Sequence, residues 1–191
     1  MVKNKKDVFY LTAIFSLTVA FAFLLNYDVL PNLGNNIMTG VNYDANVCVT
    51  HTNAEGEIVS NQCSHNVLYD TGAEFIEQLL GNETASDAAD VIVLCNASAA
   101  ASCETPNAGK TESFTNMTSC GLVATTGAYS SNGNGNWSIS KTFTSSCDSV
   151  ITNVTRLKTN SSNTDLAGNN FTLVSLESSD QITINWTIGV T

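Results

Sequence analysis

The segment "QITINWTIGV", Gln181 to Val190, alternates without a break: Ile182, Ile184, Trp186, Ile188 and Val190 fall on one face, Thr183, Asn185 and Thr187 on the other. Side chains that switch sides at every residue belong to an extended strand, here with its apolar set on a core and its polar set, including Asn185, in water. The signature recurs upstream. "NVCVTHT" and "EIVSNQC" flank the turn-forming "NAEG" as a β-hairpin, with Val47 and Val49 set against Cys48, and Ile58 against Val59. "DVIVLC" is nearly all apolar, as expected of a strand buried on both faces. From Cys120, "GLVATTGAYS" leads through the turn "SNGNGN" to "WSISKTFTS", and "SVITNVTRL" and "FTLVSLE" follow. Trp137, Phe143 and Trp186 read as core residues of these strands. About seven or eight short strands predict a mainly β fold, an antiparallel β-sandwich of immunoglobulin-like or jelly-roll type.

One stretch breaks the strand pattern. "VLYDTGAEFIEQLLG", Val67 to Gly81, carries Asp70-Thr71-Gly72, the triplet of a retroviral-type aspartic protease. That chemistry needs a second aspartate from a partner or a second motif, and no other Asp-Thr/Ser-Gly occurs in the chain. The following residues give a plainer reading. Thr71 and Glu74 have capping-box spacing, Phe75, Ile76, Leu79 and Leu80 share one helical face, and Gly81 stands where a C-cap glycine belongs. The stretch predicts a strand end, a cap, a helix of about two or three turns with Leu79 on its buried face, and a stop.

The cysteines and sequons place this domain outside the cytoplasm. Cys48, Cys63, Cys95, Cys103, Cys120 and Cys147 are even in number and all follow the N-terminal apolar run. Six cysteines allow about fifteen pairings; neighbours across hairpins and loops suggest Cys48 with Cys63, Cys95 with Cys103, and Cys120 with Cys147. Zinc would call for Cys-x-x-Cys knuckles or clustered histidines, whereas His51 and His65 stand alone. Asn-x-Ser/Thr occurs at Asn82, Asn96, Asn116, Asn136, Asn153, Asn160, Asn170 and Asn185, which predicts a glycosylated surface. Asp70, Asp87, Asp90 and Asp148 fall in no Asp-x-Asp-x-Asp-Gly register and read as solvated surface. No catalytic residue, metal or cofactor is expected, and the chain is read as a non-enzyme.

Three lysines, Lys3, Lys5 and Lys6, precede "VFYLTAIFSLTVAFAFLL", Val8 to Leu25, which is uncharged and just long enough to span a bilayer as an apolar helix. The basic flank orients it with Met1 in the cytoplasm and the rest outside. Ala20-Phe21-Ala22 has the small-x-small form of a signal-peptidase site, although the apolar run continues past it. Residues 1–25 therefore read as a signal peptide or a transmembrane anchor, with a membrane contact through residues 8–25 in the second case. Residues 26–45, rich in Asn and holding Pro31, read as a linker or extended donor arm, and residues 46–191 as the β-sandwich ectodomain. From Asn26 onward four basic residues, Lys110, Lys141, Arg156 and Lys158, face sixteen acidic ones, a balance of −12 that repels phosphate backbones and excludes nucleic-acid binding.

"NVLYDTGAEFIEQLLG", preceded by a hairpin and followed by a short apolar strand, resembles a pattern found in exported β proteins of archaea and in phage tail-fibre-like proteins. "GNWSISKTFT" and "SSDQITINWTI" resemble later strands of the same group, so the likeness covers roughly residues 46 to 191. Its motifs are structural and carry no catalytic residues. More loosely, the apolar N-terminus, sandwich, disulfides and sequons are similar to subunits of archaeal extracellular filaments, pilus-like or thread-like. That similarity implies assembly by a donated N-terminal strand. The type IV pilin version does not fit, because "KNKKDVF" lacks the Gly or Ala cleavage position.

The resulting expectation is an extracellular structural subunit of a cell-surface filament, glycosylated and disulfide-braced, polymerising with copies of itself. Phe23, Leu24, Leu25, Val29 and Leu30 would carry the assembly, as the apolar part of an arm joined to the domain by a linker. The alternative expectation keeps Val8 to Leu25 in place and gives a membrane-anchored surface adhesin or virion surface glycoprotein.

Overall fold

A computed structural model describes residues 43–80, 88–98 and 103–190 of the chain. The apolar run, the assembly residues Phe23 to Leu30, the sequon Asn82 and the stop Gly81 lie outside these residues.

Among the described residues ten strands and one helix follow in the order β1 Tyr43–Thr52, β2 Ile58–His65, β3 Val67–Leu68, α1 Asp70–Leu80, β4 Ala89–Leu94, β5 Thr125–Thr126, β6 Ala128–Gly133, β7 Asn136–Thr144, β8 Val150–Thr159, β9 Asp165–Leu176 and β10 Gln181–Val190. They form two five-stranded sheets, ordered β2-β1-β10-β7-β6 and β3-β9-β8-β4-β5, and every strand pairing is antiparallel. This is the expected sandwich. The strand count exceeds the expectation because two strands are only two residues long, too short to show a period in sequence.

Inward residues of both sheets meet in one core: Val47 and Val49 of β1, Ile182, Ile184, Trp186 and Ile188 of β10, Ile92 and Leu94 of β4, and Leu157 and Leu176 of β8 and β9. Each of these side chains is fully shielded or nearly so, and burial of a Leu or Ile contributes about 1.5–3 kcal/mol. Phe143 and Trp186 are core residues as the alternation requires, and β4 is buried on both faces at Ile92, Val93 and Leu94. Trp137, at the start of β7 opposite Ile188, packs against this core while remaining partly buried.

Three boundaries also differ from the expectation. β1 begins at Tyr43, inside the expected linker 26–45, since Tyr43 pairs with Val190 and Ala45 is buried in the core. β9 begins at Asp165, six residues before "FTLVSLE", and contributes Leu166 and Ala167 to the core. The turn within "SNGNGN" shrinks to Asn134 and Gly135, both at positive φ (51° and 75°), the backbone that a tight two-residue hairpin demands.

The disulfides join Cys48 to Cys63, Cys95 to Cys103 and Cys120 to Cys147, the sequence neighbours singled out above. Cys48 and Cys63 face each other directly across β1 and β2. The segment from Cys103 is pinned, with bridges from Cys95 to Asn116 and from Cys103 to Phe114.

The two lateral sides of the sandwich are built differently. On one side the edge strand β2 and β9 are stitched by side chains. The Gln62 amide donates to the Thr172 carbonyl (3.2 Å) and accepts from the Thr172 N–H (2.8 Å), standing in for a neighbouring peptide group. Buried Asn169 donates to Ser64 Oγ and to the His65 carbonyl, both at 3.0 Å, and Ser64 Oγ donates to the Asn170 carbonyl. On the other side the chain passes from β5 at the edge of one sheet to β6 at the edge of the other. Gly127, at the crossing, donates its N–H to the Asp90 carbonyl (2.8 Å). Every residue of β6 is exposed.

Candidate functional site

The Asp-Thr-Gly triplet determines how α1 lies on the sandwich. Tyr69 closes the helix start, its carbonyl accepting the N–H groups of Gly72 and Ala73 at 2.9 Å, while Asp70 in the first turn is exposed. A carboxylate at that position complements the helix dipole. The expected capping box does not form. Thr71 Oγ1 donates instead to the Asp165 carbonyl of β9 (2.7 Å), a tertiary partner that the local Thr-x-x-Glu spacing cannot reveal. Gly72 is buried against β9 so closely that a Cβ would overlap the Leu166 carbonyl. The helix N-terminus is thus fastened to β9, and its C-terminal half extends past the sheet.

That geometry leaves an apolar groove of about 330 Å³ between the two layers. Tyr43, Tyr129 and Trp137 of the first sheet form one wall; Phe75, Ile76 and Leu79 of α1 form the other; Ile139 and Leu166 connect its floor to the core. Leu79, expected on a buried face, is 47% exposed, and Tyr129 is 66% exposed. Tyr129 of β6 is among its lining residues. Tyr43, where the described domain begins, is held in the wall by Asn66, which donates to its hydroxyl at 2.7 Å. Burial pushes the Tyr43 hydroxyl up to about 12, so it stays protonated and the wall stays uncharged at neutral pH. Asp90 is the single carboxylate among the described lining residues.

Two further polar constellations were not legible in the sequence. Of the four cationic residues after Asn26, three converge on Asp165. Arg156 Nη1 donates to Asp165 Oδ2 at 3.0 Å, Lys110 pairs with the same oxygen, and Lys158 Nζ lies 3.4 Å from Oδ1. Arg156 Nη2 also donates to Glu112 Oε1 (2.9 Å), which accepts the Tyr69 hydroxyl at 2.6 Å, and the guanidinium lies 4.1 Å from the Phe114 ring centroid. Burial would raise the Glu112 carboxyl, but the Tyr69 hydroxyl and Arg156 outweigh it and hold it below the usual carboxylate range. Burial, then the bond to Glu112, pushes the Tyr69 phenol up. Arg156 and Lys158 occupy alternate positions of β8, and this alternation is the trace of the cluster in the sequence. It clamps the segment around Glu112 and Phe114 onto β8 and β9.

His51 and His65 are not brought together. His51 is buried and its Nε2 lies 3.1 Å from Asp180 Oδ2, whereas the exposed His65 Nδ1 lies 3.8 Å from Asp44 Oδ1. Backbone donation from Glu177, reinforced by His51, holds the Asp180 carboxyl below its ordinary value. Asp148 accepts the Ser178 N–H, Asp90 lines the groove, and Asp87 lies outside the described residues. Among the sequons, Asn116, Asn160 and Asn170 are exposed and Asn96, Asn136, Asn153 and Asn185 partly so. Asn185 occupies the outer face of the central strand β10, as the alternation requires.

No family model, curated protein or solved structure matches this chain. The described domain is a disulfide-braced antiparallel sandwich of the kind that suits an exported protein in an oxidising compartment.

Proposed function

We propose that the protein is an extracellular structural subunit that polymerises with copies of itself through its N-terminal arm. One observation carries the reading: an apolar groove lies open between the layers, continuous with the core and beside an exposed sheet edge, and Tyr43, the first described residue after the arm, stands in its wall. An unpartnered edge next to an apolar cleft is the arrangement that strand addition uses, since main-chain bonds give affinity and the cleft accepts alternate side chains. Three disulfides and the sequons fit a subunit exposed outside the cell, with sugars on Asn96, Asn116, Asn136, Asn153, Asn160, Asn170 and Asn185 as well as Asn82. The proposal assigns no catalytic role.

Deleting Asn26 to Met38 tests it. The expected product is a folded monomer with three intact disulfides that forms no filaments in negative-stain microscopy; normal filaments from the deletion would sink the reading. Sequencing the mature N-terminus separates the membrane-anchored alternative, which keeps Met1, from an arm released after Ala22, which starts at Phe23.

A further inference from the structure

We propose that the apolar groove beside α1 binds a small organic ammonium, a cation carried on an apolar or aromatic body, with Asp90 as its counter-charge. The site belongs to the single subunit and does not rest on the filament reading.

Asp90 commits the groove to a cation. Its Oδ1 is shut off from water and accepts no hydrogen bond, although the residue stands among apolar and aromatic lining side chains. A carboxylate oxygen stripped of both water and donors destabilises the fold unless a positive charge answers it. The domain has no cation to spare. Of the four basic residues after Asn26, Lys110, Arg156 and Lys158 gather on Asp165, and Lys141 lines a separate hollow with Val123 and Phe143. His51 and His65 face Asp180 and Asp44. The segment "GNETASD", 81–87, which joins α1 to β4, contains no basic residue. The answering charge therefore comes from outside the domain.

Local structure fixes this carboxylate beside the groove. The register of β4 against β8 shifts between Ala89 and Val91, so Asp90 is skipped in the pairing, and such a bulge re-aims a side chain. The Asp90 carbonyl accepts the Gly127 N–H at 2.8 Å, which ties the bulge to the crossing from β5 to β6.

The walls select the kind of cation. A metal ion takes several ligands, whereas the described lining offers one carboxylate, and no group of three His, Cys, Asp or Glu that could hold a metal occurs among the described residues. Tyr43, Tyr129 and Trp137 form one wall, and aromatic rings attract an ammonium through their quadrupoles. Phe75 and Leu79 on α1 supply an apolar surface for the body that carries the charge. The volume of about 330 Å³ stands at the small end of the range of about 300–1,000 Å³ usual for small-molecule sites.

The test is equilibrium dialysis of the unassembled fraction of the full chain against 3-phenylpropylamine and, in parallel, against 3-phenylpropanol, which keeps the skeleton and lacks the charge. The amine should bind at least about tenfold more tightly. Asp90→Asn, with its three disulfides verified, should reduce amine binding to that of the alcohol. Asp148→Asn removes an equal charge from an exposed position elsewhere and should leave the preference intact. Leu79→Lys, at a half-exposed position in the wall, should weaken the amine with Asp90 still in place, and it decides the question alone if Asp90→Asn fails to fold. Equal affinity for amine and alcohol, no retention of either, a preference that survives Asp90→Asn, or amine binding unchanged by Leu79→Lys would each overturn the inference. Negative-stain microscopy of the same preparations reads filament formation separately.

Discussion

The two lateral sides of this sandwich contain the same kinds of strand and end differently. On the β2 and β9 side several peptide groups are met by side chains of the opposite sheet: Gln62 at Thr172, Asn169 at His65. On the β6 side the chain crosses between sheets at Gly127 and leaves an exposed edge beside an apolar groove. Edge strands are a standing risk of unwanted pairing, and proteins blunt them. The two sides thus differ in how far their edges are covered by side chains.

The largest expected effect falls on the ion cluster that holds the segment around Glu112 onto β8 and β9. Arg156→Met removes a buried cation from Asp165 and Glu112, and breaking a buried pair by deleting one partner costs about 3–5 kcal/mol. Urea unfolding should show this loss; a variant as stable as the parent would mean that Lys110 and Lys158 suffice for Asp165. Asn169→Ala leaves the Ser64 and His65 groups without their buried donor, which should lower stability by about 1–3 kcal/mol in the same assay. It should also open that edge, seen as faster hydrogen exchange at Thr172 and its neighbours.

The open side should respond weakly. Leu79→Ala at a buried helix position would cost about 2–5 kcal/mol, but Leu79 is half exposed to the groove, so the loss in an unassembled subunit should stay below about 1.5 kcal/mol. A loss as large as that of a core leucine would show that the groove is closed in the free subunit. Acid sharpens the contrast last. The Glu112 carboxyl is held below its unfolded value, so its contribution is complete above the unfolded carboxylate range near pH ~4.3 and disappears as pH falls through the folded value. Thermal melts across this window should show a smaller acid-induced loss for Glu112→Gln than for the parent, and an identical slope would remove Glu112 from the clamp.

Local pattern reached far into this fold, and its failures have physical causes. The period of two in "QITINWTIGV" gave the inward set of β10 correctly, because one face meets a core and the other meets water. The hairpin and the neighbouring cysteine pairs were legible because turn residues and short separations limit what can meet. Thr71 escaped local reading: its hydroxyl has two competing partners, one three residues away and one on β9, and only the packed helix selects between them. Leu79 escaped for a related reason, since helical spacing assigns a face to a residue and says nothing of whether the opposing layer reaches that far.

The sequence by itself determined that strands would alternate, that they would pack as two antiparallel layers, and that disulfides between chain neighbours would brace them. Period, turn chemistry and cysteine spacing all act over a few residues and need no knowledge of distant partners. Only the tertiary structure decided which edge is closed and which is open. Gln62 and Thr172, and Asn169 and Ser64, lie 110 and 105 residues apart and meet only because the two sheets stack, while Arg156 of β8 meets Glu112, 44 residues away, only once the intervening chain has folded. The groove has the same origin: it is the space left where Gly72 fastens α1 to β9 while β6 ends the other layer, a difference in reach between two elements that neither encodes alone.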